Sequence, residues 1–125
     1  MTKSQSVRRI MIVDDEPDIC DCLEQFFRSR GFAVQSAFSG EEAIEQFEQR
    51  PADVILLDIR LPGISGLEVL KRVKDLNPEA RVIIITSLDS PETKIEAQTY
   101  GACAYITKPF DFSDLTWASV LSPVD

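Results

Sequence analysis

Runs of consecutive apolar residues alternate with longer segments of helical periodicity along most of the chain. Five such runs, each bounded by polar or turn residues, predict β-strands: residues 9–13, 32–37, 53–58, 81–86 and 102–107. An apolar run without alternation is typical of a strand that is covered on both faces of its sheet. The pattern therefore predicts a buried sheet of five strands.

The segments between these strands carry the signals of helices. The first, residues 17–31, repeats apolar side chains at positions i, i+4, i+7 and i+8: Ile19, Leu23, Phe26 and Phe27. Later segments begin with a capping Ser that is followed by a Glu three residues on, or by a Pro at the first helical position: Ser39 with Glu42, Ser65 with Glu68, and Ser90 with Pro91. We therefore expect helices that start just after Ser39, Ser65 and Ser90.

Strands that alternate with helices form βαβ units, and these units build a parallel sheet with helices on both faces. We predict one doubly wound α/β domain of five strands and five helices, the last helix at residues 113–121. The fourth helix offers only Ile95, Ala97 and Tyr100 for burial. Because elements with few buried contacts rearrange at low cost, we expect this helix to be mobile.

The composition narrows the classes of function. The chain has 125 residues, enough for one domain with a full hydrophobic core. Its net charge of −8 argues against direct nucleic-acid binding and favours cations. No apolar run approaches the roughly 20 residues that span a bilayer, and the N-terminal residues do not match a signal peptide, so we expect a cytoplasmic protein without membrane contact. Three cysteines, an odd number, indicate reduced thiols, and Cys103 is expected in the core.

Polar side chains follow four of the predicted strands, at the edge where an open parallel sheet binds ligands. Asp14 and Asp15 follow the first strand and Asp58 ends the third. Thr86 ends the fourth, and Lys108 follows the fifth. Three clustered carboxylates repel one another, and a hard divalent cation such as Mg²⁺, which prefers oxygen ligands, would relieve that repulsion. The sequence therefore predicts a cation site at this edge.

The same groups are the parts needed for phosphoryl transfer, in which positioning and charge neutralisation do most of the catalysis. A carboxylate can itself be the nucleophile and form an aspartyl phosphate. Each residue also has a purely structural explanation: Asp15 as a helix cap, Asp58 as a turn residue, Thr86 as a strand-end residue and Lys108 as a solvated lysine. Their placement on one edge favours the chemical interpretation.

Four motifs occur in order: "IVDDEPDI", "DVILLDIRLPGISGLEVL", "VIIITS" and "GACAYITKPF". As an ordered set they resemble the receiver domain of two-component response regulators. The resemblance covers about residues 7–121, and it leaves residues 1–6 as a flexible N-terminus and residues 122–125 as a tail or the start of a linker. It implies a flavodoxin-like three-layer sandwich with the strand order 2-1-3-4-5.

The resemblance also implies a role for each residue at the edge. Asp58 would accept a phosphoryl group from a phosphohistidine of a sensor histidine kinase, with Mg²⁺ or Mn²⁺ as cofactor. Asp15, Asp58 and the backbone carbonyl of Arg60 would bind the metal directly, and Asp14 would bind it through water. Lys108 would pair with the carboxylate and then with the phosphoryl oxygens. Because the chain contains no His, we expect the donor to be another protein or a small molecule.

Other positions imply how the signal leaves the site. Thr86 would move inward and form a hydrogen bond with the phosphoryl group, and Tyr105 would move into the space that Thr86 leaves. The face made by helix 4, strand 5 and helix 5 would then change its affinity for partners. Lys108 and Pro109 would be joined by a cis peptide bond.

The implied function is a regulatory switch rather than an enzyme, although it would catalyse its own phosphotransfer and autodephosphorylation. It would control an output domain or an effector protein, for instance in transcription regulation, and phosphorylation-dependent homodimerisation is left open. By the resemblance, Arg60 and Leu88 would occupy positions that tune the loss of phosphate. Since both are bulky, we expect slow autodephosphorylation.

Three other interpretations stay open. A phosphatase or mutase of the haloacid-dehalogenase-like kind would need a D-x-D motif after the first strand, and "DDEPD" does not supply it there. A receiver-like interaction module that never takes phosphate would keep the fold without the chemistry. A structural metal-binding domain would leave Lys108 and Thr86 unexplained.

Overall fold

The computed structural model describes residues 8–113 and Trp117, and its elements alternate between strand and helix. In chain order they are β1 Arg9–Val13, α1 Pro17–Arg28, β2 Ala33–Ala37, α2 Gly40–Gln49, β3 Val54–Leu57, α3 Gly66–Leu76, β4 Arg81–Thr86, α4 Pro91–Thr99 and β5 Ala104–Thr107. The predicted fifth helix, at residues 113–121, lies outside the described residues except for Ser113 and Trp117.

The five strands form one parallel sheet in the order β2-β1-β3-β4-β5. From β1 the chain moves outward to β2, and from β3 it continues in the opposite direction across the sheet. The carboxyl ends of β1 and β3 are therefore neighbours at the point where the winding reverses, which is where ligands bind in such sheets. The predicted doubly wound, flavodoxin-like topology is confirmed.

Each face of the sheet carries its own core, because successive side chains of a strand point to opposite faces. From β1, Met11 and Val13 pack on one face with residues of α2, α3 and α4. Ile10 and Ile12 pack on the other face with residues of α1 and with Trp117. Helices thus cover both faces of the sheet, and its strand ends lie at the edges of the sandwich.

The predicted helix starts are confirmed by their caps. The hydroxyl oxygen of Ser39 accepts a hydrogen bond from the backbone N–H of Glu42 at 3.1 Å. Ser65 accepts from the N–H three residues on at 3.3 Å, and α4 begins at Pro91 behind the cap of Ser90. Each cap satisfies a backbone donor that the first turn of a helix leaves without a partner.

Two sequence expectations about burial are wrong. Ile95 is 64% exposed, because it lies two residues, about 200°, from Ala97, the residue of α4 that is fully buried. Tyr100 is half-buried. Cys103 is exposed and precedes β5, which begins at Ala104 rather than at residue 102. The apolar run there forms an edge strand, and an edge strand is covered less completely than a central one.

Candidate functional site

Three side chains from separate strand ends meet at the reversal point of the sheet. The Nζ of Lys108 lies 2.8 Å from Oδ2 of Asp14 and 3.0 Å from Oδ2 of Asp58. The two aspartates are 3% and 6% exposed, and the lysine side chain is 11% exposed. A single ammonium group therefore bridges two buried carboxylates.

The backbone brings these side chains together by continuing the strand ladder beyond the strands. The N–H of Asp14 donates to the carbonyl of Ala37 at 3.1 Å, and the N–H of Asp58 donates to Val13 at 2.9 Å. Lys108 donates its N–H to the carbonyl of Thr86 at 2.8 Å. The peptide bond between Lys108 and Pro109 is cis.

Burial and pairing act against each other on the charges of this site. Burial raises the pKa of the Asp14 carboxyl, and the hydrogen bonds from Lys108 and from the Glu16 N–H offset only part of that effect. For Lys108, burial lowers the pKa, but its hydrogen bonds with Asp14 and Asp58 outweigh burial and leave the pKa raised. Lys108 is therefore protonated at neutral pH.

The acidic groups around Lys108 fit a hard divalent cation. Asp14, Asp15 and Glu16 offer carboxylate oxygens that lie within 4.8 Å of one another. Asp58 adjoins this group, since its Oδ2 and that of Asp14 share the same lysine nitrogen. The donors are all oxygens, and an all-oxygen site suits Mg²⁺ or Mn²⁺ better than Zn²⁺ or copper. One ammonium cannot neutralise all these carboxylates, so a cation would relieve the remaining repulsion.

The structure adds one residue that the sequence reasoning did not assign to the site. Glu16 Oε2 lies 3.9 Å from the Nζ of Lys108, and its carboxylate belongs to the acidic cluster. Its N–H donates to Oδ1 of Asp14 at 2.9 Å, which orients that carboxylate. The signal in the sequence was the third acidic residue of "DDE", directly after the first strand.

Thr86, Leu88 and Tyr105 form a second group beside the carboxylates. Thr86 is completely buried, and its Oγ1 accepts a hydrogen bond from the N–H of Leu88 at 3.3 Å. The hydroxyl of Tyr105 donates to the carbonyl of Leu88 at 2.6 Å. Burial raises the pKa of the Tyr105 hydroxyl, so it remains a donor at neutral pH. The backbone of Leu88 therefore connects the end of β4 to β5.

The Arg60 backbone lies against the aspartate that the sequence singled out. Its N–H donates to Oδ1 of Asp58 at 3.1 Å, while Lys108 takes Oδ2. Both oxygens of Asp58 are thus oriented by neighbouring groups. The Arg60 side chain itself is exposed.

A doubly wound parallel sheet with a lysine-bridged pair of carboxylates at its reversal point defines a class of phosphoryl-accepting signalling domains. A family model for the response regulator receiver domain matches residues 10–119 of the chain. The chain belongs to this family. Receiver domains are the phosphorylation-dependent switches of two-component systems, and they bind Mg²⁺ in an acidic pocket.

Curated relatives are transcriptional regulatory proteins. ZraR of Escherichia coli O157:H7 is 41% identical over 106 residues, which are 85% of this chain and 24% of ZraR. TrcR of Mycobacterium tuberculosis is 36% identical over 107 residues, which are 86% of this chain and 42% of TrcR. The chain therefore spans less than half the length of either relative.

Solved receiver domains share the fold over nearly the whole chain. The CheY-like receiver domain protein from Methanospirillum hungatei JF-1 has a TM-score of 0.86 and 33% identity, with 92% of both chains covered. The BeF3-activated DrrB receiver domain has a TM-score of 0.83 and 29% identity, with 91% of this chain and 94% of that chain covered.

Within the residues that the structure describes, no helix combines the length and the apolar character needed to cross a membrane.

Proposed function

We propose that Asp58 is the residue on which this receiver domain accepts its phosphoryl group. The observation that carries the proposal is the contact of Lys108 with Asp58 and Asp14 beside an acidic cluster. An oxygen of Asp58 attacks the phosphorus of a phosphohistidine. The new O–P bond forms as the N–P bond breaks, and the electron pair and then a proton go to the imidazole nitrogen of the donor.

The residues around Asp58 have the donor set that Mg²⁺ or Mn²⁺ needs. In this proposal Asp15, Asp58 and the backbone carbonyl of Arg60 would hold the cation, and Asp14 would act through water. When bound, the cation neutralises part of the charge on the transferring phosphoryl group. Lys108 leaves Asp58 and binds a phosphoryl oxygen, and its raised pKa keeps it protonated while it does so.

The change at Asp58 reaches the surface through Thr86 and Tyr105. The Thr86 hydroxyl turns to the new phosphoryl group and gives up its bond with Leu88, so the contact between Leu88 and Tyr105 is remade as well. Both present contacts meet on the backbone of Leu88, which supports this route. The face formed by α4 and β5 then changes its affinity for partners.

A groove beside Lys108 supports the docking of a sensor histidine kinase at this edge. It has a volume of about 430 Å³ and combines Glu16 and Lys108 with apolar side chains of Ile19, Phe110 and Phe112. A kinase helix that carries the phosphohistidine can enter such a groove with its apolar face. The donor then reaches Asp58 along the side from which Lys108 approaches it.

The proposed output is control of an attached domain or a partner protein, as in the transcriptional regulatory relatives. We take residues 7–121 as the receiver unit and residues 122–125 as a tail or the start of a linker. The domain has a regulatory role, and its own loss of phosphate, slowed by the bulk of Arg60 and Leu88, resets it.

Intact-protein mass after incubation with acetyl phosphate and Mg²⁺ tests the proposal. We expect a gain of one phosphoryl group in the wild type, none without Mg²⁺, and none in Asp58→Asn. After removal of the donor, the phosphorylated species should persist for longer than seconds. Circular dichroism of Asp58→Asn shows whether that variant is folded.

A different outcome would favour one of the other interpretations. Phosphorylation of a folded Asp58→Asn variant to the wild-type extent would show that another residue is the acceptor. If the wild type gains no mass and binds neither Mg²⁺ nor the phosphoryl mimic beryllofluoride, the domain is a phosphate-independent interaction module.

A further inference from the structure

The loop between β3 and α3 carries Asp58 and the Arg60 carbonyl, and helix α2 contacts this loop near its end. The N–H of Ile64, late in this loop, donates to Oε2 of Glu41 at 3.3 Å. Glu41 lies in the first turn of α2, 23 positions away in the chain. A carboxylate from a different element therefore contacts the loop that carries the site.

The turn before Ile64 is shaped to receive this carboxylate. Gly63 has a left-handed backbone with a φ of 77°, and a Cβ on Gly63 would overlap the Glu41 carboxylate. Gly40, the residue before Glu41, is packed so closely on Ile64 that a Cβ there would overlap its side chain and carbonyl oxygen. The start of α2 and this turn therefore fit against each other without space for additional side-chain atoms.

The other end of the loop is held against β3. The N–H of Gly66 donates to the carbonyl of Ile59 at 2.8 Å, and a Cβ on Gly66 would overlap the carbonyl oxygen of Asp58. Since the Gly66 bond fixes Ile59 and Glu41 holds Ile64, the backbone between residues 59 and 64 has little freedom. Arg60 lies in that stretch.

We propose that Glu41 is a positioning residue for the phosphorylation site, because its carboxylate holds the turn at residues 62–64 and thereby the Arg60 carbonyl. The inference rests on the proposed function, which assigns that carbonyl to the metal. A hydrogen bond to a carboxylate is stronger than one to a neutral acceptor. Glu41→Gln therefore keeps a weaker acceptor, and Glu41→Ala removes it.

The expected effect is on metal affinity. Loss of a group that orients a metal ligand typically weakens metal binding about 10- to 100-fold. Glu41 is exposed and acts on a backbone carbonyl through the loop, so we expect about three- to tenfold weaker Mg²⁺ binding in Glu41→Ala, with Glu41→Gln in between. The phosphorylation rate at saturating Mg²⁺ should return to the wild-type value, because Glu41 does not touch the reacting atoms.

The experiment measures the Kd for Mg²⁺ by calorimetry in the wild type, in both Glu41 variants and in Glu45→Ala and Glu45→Gln. Glu45 lies one turn further along α2, is exposed, and carries the same charge, so its variants control for the change in net charge and helix composition. Amide hydrogen exchange of Ile64 gives a second readout without metal. It should be faster in Glu41→Ala than in the wild type and unchanged in Glu45→Ala.

The outcomes separate this inference from the proposed function. If the wild type binds Mg²⁺ and the Glu41 variants bind it equally well, or if Glu45→Ala weakens binding as much, Glu41 does not position the site. A lower melting temperature with an unchanged Kd would assign Glu41 to stability alone. If the wild type itself binds no Mg²⁺, the proposed function fails and this inference fails with it.

Discussion

Lys108 is the residue on which the opposing energies of the site converge. Burial alone would favour its neutral form, but its two bonds of 2.8 and 3.0 Å to carboxylates keep it charged. Asp14 keeps part of the burial penalty, as its raised pKa shows. Buried ionic groups of this kind contribute little to stability compared with apolar packing, so a role in function explains them better.

The three cysteines differ in environment, and this predicts their reactivity. Cys22 and Cys103 are exposed, whereas Cys20 is 1% exposed and its thiol donates to the backbone carbonyl of Asp14 at 3.4 Å. Burial raises the pKa of Cys20 from 9.0 to about 12. Because thiolates react and thiols do not, we expect Ellman's reagent at pH 8 to titrate two thiols in the native protein and the third after unfolding.

A variant with Cys22→Ser and Cys103→Ser isolates this prediction, since its native form should not react with Ellman's reagent. Rapid reaction of this native double variant would show that Cys20 is accessible and would contradict the prediction.

The raised pKa of Cys20 also predicts a pH dependence of stability. Between pH 9 and about 12 the unfolded chain releases the Cys20 proton while the folded chain retains it, so this thiol's contribution to stability is lost as pH rises through that window.

At the scale of elements, the sequence predicted what depends on local chemistry. Helix starts at Ser39, Ser65 and Ser90 follow from capping bonds within four residues, and strand ends follow from apolar runs. The exposure of Ile95 and Cys103 could not be predicted reliably, because it depends on which side of α4 and of β5 is covered by other elements. The contact of Glu41 with Ile64 was also beyond reach, since it joins separate elements through a side chain and a backbone amide.

The helix α4 is packed more weakly than α3, and this predicts its local stability. Within α4 the buried residue is Ala97, whereas α3 buries Gly66, Val69, Leu70 and Val73. The ion pair of Lys94 with Asp89, 2.9 Å long, is exposed and adds little. We expect amide hydrogens of α4 to exchange at least about tenfold faster than those of α3, read by hydrogen exchange with mass spectrometry. Equal protection of the two helices would contradict the expectation of a mobile α4.

At the scale of the whole molecule, the direction of the winding predicted which edge of the sheet brings the candidate site residues together. The rule that ligands bind at the carboxyl ends of parallel strands was enough to group Asp14, Asp58 and Lys108, and the structure brings these three into contact. The rule gives an edge and not distances, so the inclusion of Glu16 and the route through Leu88 needed coordinates. The net charge of −8 raises a separate question, because any cation could stabilise such a chain by screening.

Specific binding of Mg²⁺ and general screening predict different changes in thermal stability. A cation that binds only the folded state at ten times its Kd adds about 1.4 kcal/mol to the free energy of unfolding. For a domain of this size that corresponds to a rise in Tm of roughly 5 °C. We expect this rise with MgCl₂, little change with NaCl at equal ionic strength, and a much smaller rise in Asp15→Asn, which removes one proposed ligand from an exposed position. If NaCl raises the Tm as much as MgCl₂, the stabilisation comes from screening of the acidic surface and not from a site at the end of the sheet. If only MgCl₂ raises the Tm but Asp15→Asn responds as the wild type does, a site is present and Asp15 is not one of its ligands.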